Sequence, residues 1–179
     1  MRLAHRQMHS PVGELKLVAS DKGLVAVLWE NDEPLRVRLG ETVEDMSHTI
    51  LIQTENQLNE YFAGTRIEFS VAIDLRGTPF QMRVWETLLA IPFGKTRAYG
   101  EVAKQLGNPQ ASRAVGAATR KNPISIIVPC HRVIGSTGNL TGFAGGLDVK
   151  SRLLEFEQGK PESRSLSAAA RAGLQSRCG

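Results

Sequence analysis

Cysteine is scarce in this chain: two residues in 179, Cys130 and Cys178. Two thiols this far apart, one of them next to the C-terminus, do not make a disulfide framework. A reducing compartment, the cytoplasm, is the expected location, and there Cys130 stays a thiol. Long apolar runs are also missing; none approaches the roughly 20 residues needed to span a bilayer. The opening "MRLAHRQMHS" has no apolar stretch of the kind a secretory signal carries. Histidine is sparse, and His5, His9 and His48 fit no metal-ligand spacing, so they read as surface residues and no metal is expected. Nor is there a large excess of one charge. The formal net charge is +4, and the last twenty residues hold four bases against one acid, so the body of the chain is close to neutral. Net charge by itself therefore says little about nucleic acid. What remains is an ordinary soluble composition, 41% hydrophobic and 22% charged, in a chain long enough for one sizeable core or two small ones.

The charge is unevenly placed. Between Lys95 and Arg132 lie seven bases (Lys95, Arg97, Lys104, Arg113, Arg120, Lys121 and Arg132) and a single acid, Glu101. That is enough for a footprint on phosphates, and equally for a solvated basic surface. The patterning divides the chain into three. Residues 13–20 alternate Leu15, Leu17 and Ala19 with polar neighbours, and a second apolar run comes after the Asp21-Lys22-Gly23 turn, which is a hairpin signal. Residues 47–63 place Leu51, Leu58, Tyr61 and Phe62 at helical spacing, with Gly64 as a stop, and 67–75 return to a strand pattern. Residues 1–75 thus read as a small α/β domain with an antiparallel sheet. Residues 76–159 read as a mostly helical domain, and 160–179 as a flexible basic tail. Within the second part, Thr78, Pro79 and Gln81 form a capping box ahead of an apolar helical face at Phe80, Val84, Trp85, Leu88 and Leu89. Two short helices come next, "YGEVAKQLG" and "ASRAVGAATRKN". They outline a helix-turn-helix, although spacing alone favours an ordinary packed pair. The second is rich in small residues, including Ala114, Gly116 and Ala117. A helix-interior glycine costs about 1 kcal/mol, which suggests close approach of a helix or a nucleic-acid backbone. Arg113 projects near its start.

"IIVPCHRV" (residues 126–133) carries the most reactive side chain. Three strand-like residues lead into proline, then Cys130, His131 and Arg132. A cysteine nucleophile acts as thiolate and needs a base or a positive charge to lower a pKa of about 8.5. Successive strand side chains point to opposite faces, so His131 serves Cys130 only if the chain turns after Pro129 or a water bridges the two. Glu157 is the nearest carboxylate beyond the loop able to orient the imidazole. On those three letters alone, a nucleophile, half a metal site and a small core residue all stay open.

The wider context is more specific. "GTPFQMRVWETLLAIPFGKTRAYGEVAKQLG", "ASRAVGAATRKNP" and "PISIIVPCHRVIGSTGNLTGFAGG" closely resemble the O6-alkylguanine-DNA alkyltransferases, also called methylated-DNA–protein-cysteine methyltransferases. The resemblance is strong over 76–157 and looser before it. It implies an α+β protein whose helical second domain contains a helix-turn-helix. It implies DNA repair by direct reversal, in which the methyl group on guanine O6, with O4 of thymine left open, moves irreversibly to Cys130 in a single turnover. It makes His131 the water-linked base, Glu157 its orienting carboxylate, Asn122 the tie of the turn, and Tyr99 a donor to N3 of the leaving guanine. Arg113 becomes the residue that fills the gap left by a flipped nucleotide, with Ala114, Gly116, Ala117, Arg120, Lys121 and Arg132 along the DNA-binding surface. Tyr99, Val133, Phe143, Ala144 and Gly145 would border the substrate pocket, with backbone amides near Cys130 and in 141–146 reading the base edge. The implied partner is double-stranded DNA containing O6-alkylguanine, with no cofactor and no membrane. A monomer is expected, with cooperative assembly on DNA left open.

Phe143 stands where many relatives have tyrosine, and Ala144 where some have serine, which bears on tolerance for bulky alkyl groups. Three alternatives compete: a non-catalytic lesion-binding protein on the same fold, a helix-turn-helix regulator, and a cysteine hydrolase. The presence of Cys130 in its full setting speaks against the first. The chain has no room for an added regulatory domain, and no peptide-binding signature supports the third.

Overall fold

A computed structural model describes residues 2–159. The expected tail at 160–179, with Cys178, lies outside the described residues. Tight turns fold the first segment into an antiparallel meander of β1 (Leu3–Ser10), β2 (Gly13–Ser20) and β3 (Gly23–Trp29). A short β4 (Thr42–Glu44) adds to β1 in parallel, giving the order β3-β2-β1-β4. Helix α1 (Thr49–Phe62) packs on the sheet and buries Leu51, Leu58, Tyr61 and Phe62. The hairpin and helix match the sequence reading; β1 and β4 do not appear in it. Between Leu3 and Met8 the strand carries Ala, His, Arg and Gln, too polar a stretch for alternation to show.

The strand expected over 67–75 is a correction. This segment is extended chain that meets β3 through one isolated parallel bridge, Leu24 to Ile73. Leu24 N donates to Ala72 O at 2.8 Å and Asp74 N donates to Leu24 O at 2.7 Å. The ladder stops because the next position on that edge is taken: Val27 N donates to Pro123 O at 2.9 Å and Val27 bridges Ile124. A strand edge offers one row of partners, and here two segments share it.

The second part opens with α2 (Pro79–Leu89), whose capping box forms as expected. Gln81 N donates to Thr78 Oγ1 at 3.2 Å, and Thr78 N donates to Gln81 Oε1 at 3.0 Å. Then come β5 (Arg97–Ala98), α3 (Tyr99–Gln105) and α4 (Ser112–Arg120), succeeded by a 3₁₀ turn (Cys130–Arg132), β6 (Val133–Ile134) and α5 (Leu147–Glu157). β5 and β6 pair in parallel. Helices α2, α3 and α4 pack together, and Trp85 Nε1 donates to Ala118 O at 2.8 Å across the α2–α4 contact. The architecture is α+β, an N-terminal sheet with one helix and then a helical half. One apolar cluster runs through both, from Met8 and Leu15 to Val115, Cys130 and Phe156. Among the described residues no helix is long and apolar enough to cross a membrane.

Candidate active site

Helix α4 ends just before Asn122, and that side chain organises the segment leading to Cys130. Its Nδ2 donates to Val128 O at 2.9 Å and its Oδ1 accepts from Ile124 N at 3.0 Å. The stretch between is not the strand its composition suggests. Ile126 has φ of +73° while Ile127 N donates to Ser125 O at 2.9 Å, a γ-turn of the rare positive-φ kind. Pro129 sits at φ −81°, ψ 63°, and Cys130 N donates to Val128 O at 2.8 Å, an inverse γ-turn. The run misleads because Ile124, Ile126, Ile127 and Val128 are all buried, so no polar face marks the bends. The 3₁₀ turn at Cys130 also removes the strand geometry that would send Cys130 and His131 to opposite faces.

Four neighbours converge on Glu157 at the end of α5. Its Oε1 accepts from His131 Nε2 at 2.7 Å, from Tyr61 Oη at 2.8 Å and from Arg132 Nη2 at 2.9 Å. Its Oε2 accepts from Arg132 Nε at 2.8 Å and from Gly94 N at 3.3 Å. Burial pushes the Glu157 pKa up, but His131 and Arg132 overcome it and hold the carboxyl well below the usual range. An ionised carboxylate only accepts, so His131 donates from Nε2. The other ring nitrogen, Nδ1, is enclosed and has no partner among the described residues. Burial lowers the His131 pKa, with Glu157 opposing and Arg132 and Lys150 reinforcing. A neutral imidazole with an open lone pair on Nδ1 is the form of a base.

Cys130 is buried, which raises its thiol pKa; a hydrogen bond with the Asn122 side chain and the charges of Lys150 and Arg36 work in the other direction. Lys150 is fully buried, and its Nζ donates to Val133 O at 2.6 Å and to Thr141 O at 3.0 Å. Burial draws its pKa down to about 8, while the interaction with Cys130 raises it. Lys150 Nζ also lies 5.9 Å from the centre of the Tyr99 ring. The Tyr99 hydroxyl donates to Thr141 O at 3.2 Å and accepts from Thr141 Oγ1 at 3.3 Å. Burial raises the Tyr99 pKa, so the phenol keeps its proton.

Tyr99, Arg113, Gly116, Ala117, Arg120 and Thr141 are among the residues lining a groove of about 610 Å³. Arg113, Ala114, Ala117, Arg120 and Lys121 are exposed along α4 and its end. A methyl added at Gly116 would meet only the Tyr99 ring, at 3.8 Å, so protein packing does not demand a glycine there. One expectation needs correction. Arg132 is not on the DNA-binding surface: it is buried, bound to Glu157 through two nitrogens, and its Nη1 donates to Ile91 O at 2.7 Å. A guanidinium committed in this way is unavailable to phosphate. Phe143 and Ala144 line a cavity of about 900 Å³ that shares Ala117, Arg120 and Gly142 with the Tyr99 groove. Phe143 stacks edge-on against Trp29 with ring centres 5.5 Å apart, and a Cβ on Gly145 would stand 2.7 Å from that indole. Val133 contributes its carbonyl, as the acceptor of Lys150.

Three residues go unnoticed in the sequence reading. Lys150 looks like the exposed lysine of any amphipathic helix. Tyr61 reads as core. Arg36 sits in a polar loop, yet its Nη1 donates to Asn122 O while Nη2 pairs with Asp32. No local pattern marks any of them, because each acts across the domain boundary or across the loop. Among the described residues, no group of three or more His, Cys, Asp or Glu is placed to hold a metal ion.

Comparison with known proteins agrees with this geometry. Residues 3–75 match the "6-O-methylguanine DNA methyltransferase, ribonuclease-like domain" family and residues 79–159 its "DNA binding domain". The methylated-DNA–protein-cysteine methyltransferase of Mycobacterium bovis is 48% identical over 158 residues, covering 87% of this chain and 93% of the relative. That of Methanosarcina acetivorans is 47% identical over 148 residues, covering 83% and 94%. The structure of Mycobacterium tuberculosis OGT in complex with DNA is similar with a TM-score of 0.82 at 44% identity, over 93% of this chain and 99% of that one. With both halves matched and the cysteine-centred site in place, the chain belongs to the 6-O-methylguanine DNA methyltransferase family.

Proposed function

We propose that this protein repairs alkylated DNA by direct reversal, moving the methyl group from O6 of guanine to its own Cys130. The observation that carries the assignment of the acceptor is a buried cysteine preceding a His131–Glu157 pair, with the Lys150 ammonium and the Tyr99 hydroxyl turned toward the same space. Residues 76–159 carry the chemistry and 1–75 support it. The Sγ proton passes to His131 Nδ1, directly or through one water. Sγ then attacks the methyl carbon in line with the C–O6 bond, an S–C bond forms, and the electron pair of the broken bond stays with guanine. Tyr99 answers that negative charge by donating a hydrogen bond to N3. The thioether does not readily hydrolyse, so each molecule acts once. A carbon on O6 cannot be attacked in line within a stacked duplex, so the nucleotide must be extruded. Helix α4, smooth at Ala114, Gly116 and Ala117, suits close approach to a groove floor, with exposed Arg113 as the wedge. Arg120 and Lys121 grip phosphates without reading sequence.

Incubation of the reduced protein with duplex DNA containing O6-methylguanine should add one methyl mass to the peptide bearing Cys130. An unmodified peptide from intact protein would remove the reading. Arg113→Ala should weaken transfer from duplex DNA at least tenfold while changing transfer from free O6-methylguanine by less than about twofold. Equal losses on both substrates would deny Arg113 the wedge role.

A further inference from the structure

The N-terminal domain holds no nucleophile near the acceptor, yet besides Arg36, which reaches Asn122, it sends a phenol hydroxyl onto the carboxylate that holds His131. Tyr61, on α1, is fully buried. Its ring is locked among Phe62, Phe69, Phe93 and Phe156 at centroid distances of 5.2 to 6.1 Å. Its hydroxyl reaches Glu157 Oε1 at 2.8 Å, the same oxygen that accepts from His131 Nε2. We propose that Tyr61 is a positioning residue for the transfer reaction. By donating to Glu157 it keeps the carboxylate an acceptor toward His131 and draws off part of its charge, which leaves the imidazole neutral with its lone pair on Nδ1. This inference rests on the functional reading above.

The donor capacity of each group decides where the protons sit. The ionised carboxylate accepts only, so the phenol must present its proton and His131 must present Nε2–H. That fixes the tautomer, and the free nitrogen is the one with no partner among the described residues. The charge on His131 is then set by everything around it. Burial and the cations Arg132, on its own turn, and Lys150, from α5, oppose protonation. Glu157, from α5, favours it, and Tyr61, from α1, faces that carboxylate. Tyr61 thus acts on the one neighbour that promotes protonation of His131. Without the phenol donor, Glu157 places more charge on the imidazole, and the imidazolium forms at higher pH.

The test is the pH dependence of methyl transfer from duplex DNA containing O6-methylguanine, with thermal midpoints measured alongside. In Tyr61→Phe the acid limb of the rate profile should move up by about half a unit to one unit, a three- to tenfold loss of rate below it, with the plateau within about threefold of wild type. Site-specific 3-fluorotyrosine at position 61 keeps the ring and makes a stronger donor, so its limb should move down. It also decides the matter if Tyr61→Phe does not fold. An acid limb that stays in place in both proteins, or a uniform loss at every pH, would reduce Tyr61 to a core residue with a satisfied hydroxyl and overturn the proposal. Wild-type protein reports separately on the functional reading: if it places no methyl on Cys130, that reading falls, whatever the variants do.

Discussion

At the scale of the residue, the telling feature is a buried cation with no carboxylate partner among the described residues. Buried charges are ordinarily paired, and Lys150 instead rests on two carbonyls, with a thiol as its nearest source of negative charge. A Cys130 thiolate would complete the pair, and its ionisation would offset the cost of burying the ammonium. Lys150→Met should raise the pH midpoint for alkylation of Cys130 by iodoacetamide and slow methyl transfer near neutrality by at least tenfold; an unchanged midpoint would exclude the ammonium as the activating charge. A stability signature accompanies it. A lysine held at about 8 rather than 10.5 binds its proton more weakly when folded, so its contribution to the unfolding free energy rises with pH across that window and is flat below it. That rise should vanish from pH-resolved urea melts of the methionine variant. None of this is visible at position 150 in the sequence, where a lysine on an amphipathic helix looks like any solvated one.

At the scale of the element, legibility depends on whether a segment's own chemistry decides its shape. Helix α2 is readable because Thr78, Pro79 and Gln81 specify its start locally, and the bonds they imply are present. Thr78→Ala should therefore lower stability by about 0.5–2 kcal/mol in urea denaturation while leaving the transfer rate of the folded protein unchanged. A fall in that rate would mean the cap also shapes the site. The acceptor segment is unreadable for the opposite reason. Its residues have strand composition, but Asn122 and the edge of β3 dictate two bends; Asn122 does so through one side chain that no local pattern marks, and β3 is distant in sequence order. The contact between Trp29 Nε1 and Ser125 Oγ, at 3.1 Å, spans 96 positions. The same lack of a local signal explains why Arg132 resembles a phosphate ligand in the sequence: its charge is legible, its burial is not.

At the scale of the whole molecule, the two halves recognisable in the sequence do not have separate cores. One apolar cluster joins them. Tyr61 reaches Glu157, Arg36 reaches Asn122, and β3 holds Pro123 by its backbone. Unfolding should accordingly be a single cooperative event. Trp29 reports on the sheet and Trp85 on α2, so single-tryptophan variants, Trp29→Phe and Trp85→Phe, should each show intensity changes that coincide with the backbone transition in urea. Separated midpoints would show that the halves melt independently. The patterning of the two halves is legible because it is local to each. Their fusion is not, since it is made by a few side chains with no shared local pattern.

The opposed γ-turns at Ile126 and Pro129 impose one further condition on the chain. The first bends it one way through a positive-φ isoleucine and the second bends it back, so the path from Asn122 to Cys130 works as a gauge of fixed length, clamped at one end by the carbonyl of Val128. Exchange of one buried aliphatic side chain for another alters how well that gauge is packed. Insertion or deletion of a single residue alters where it ends, and would turn the sulfur away from Lys150 and Tyr99. Across a library of variants, this segment should accept changes of letter far more readily than changes of number.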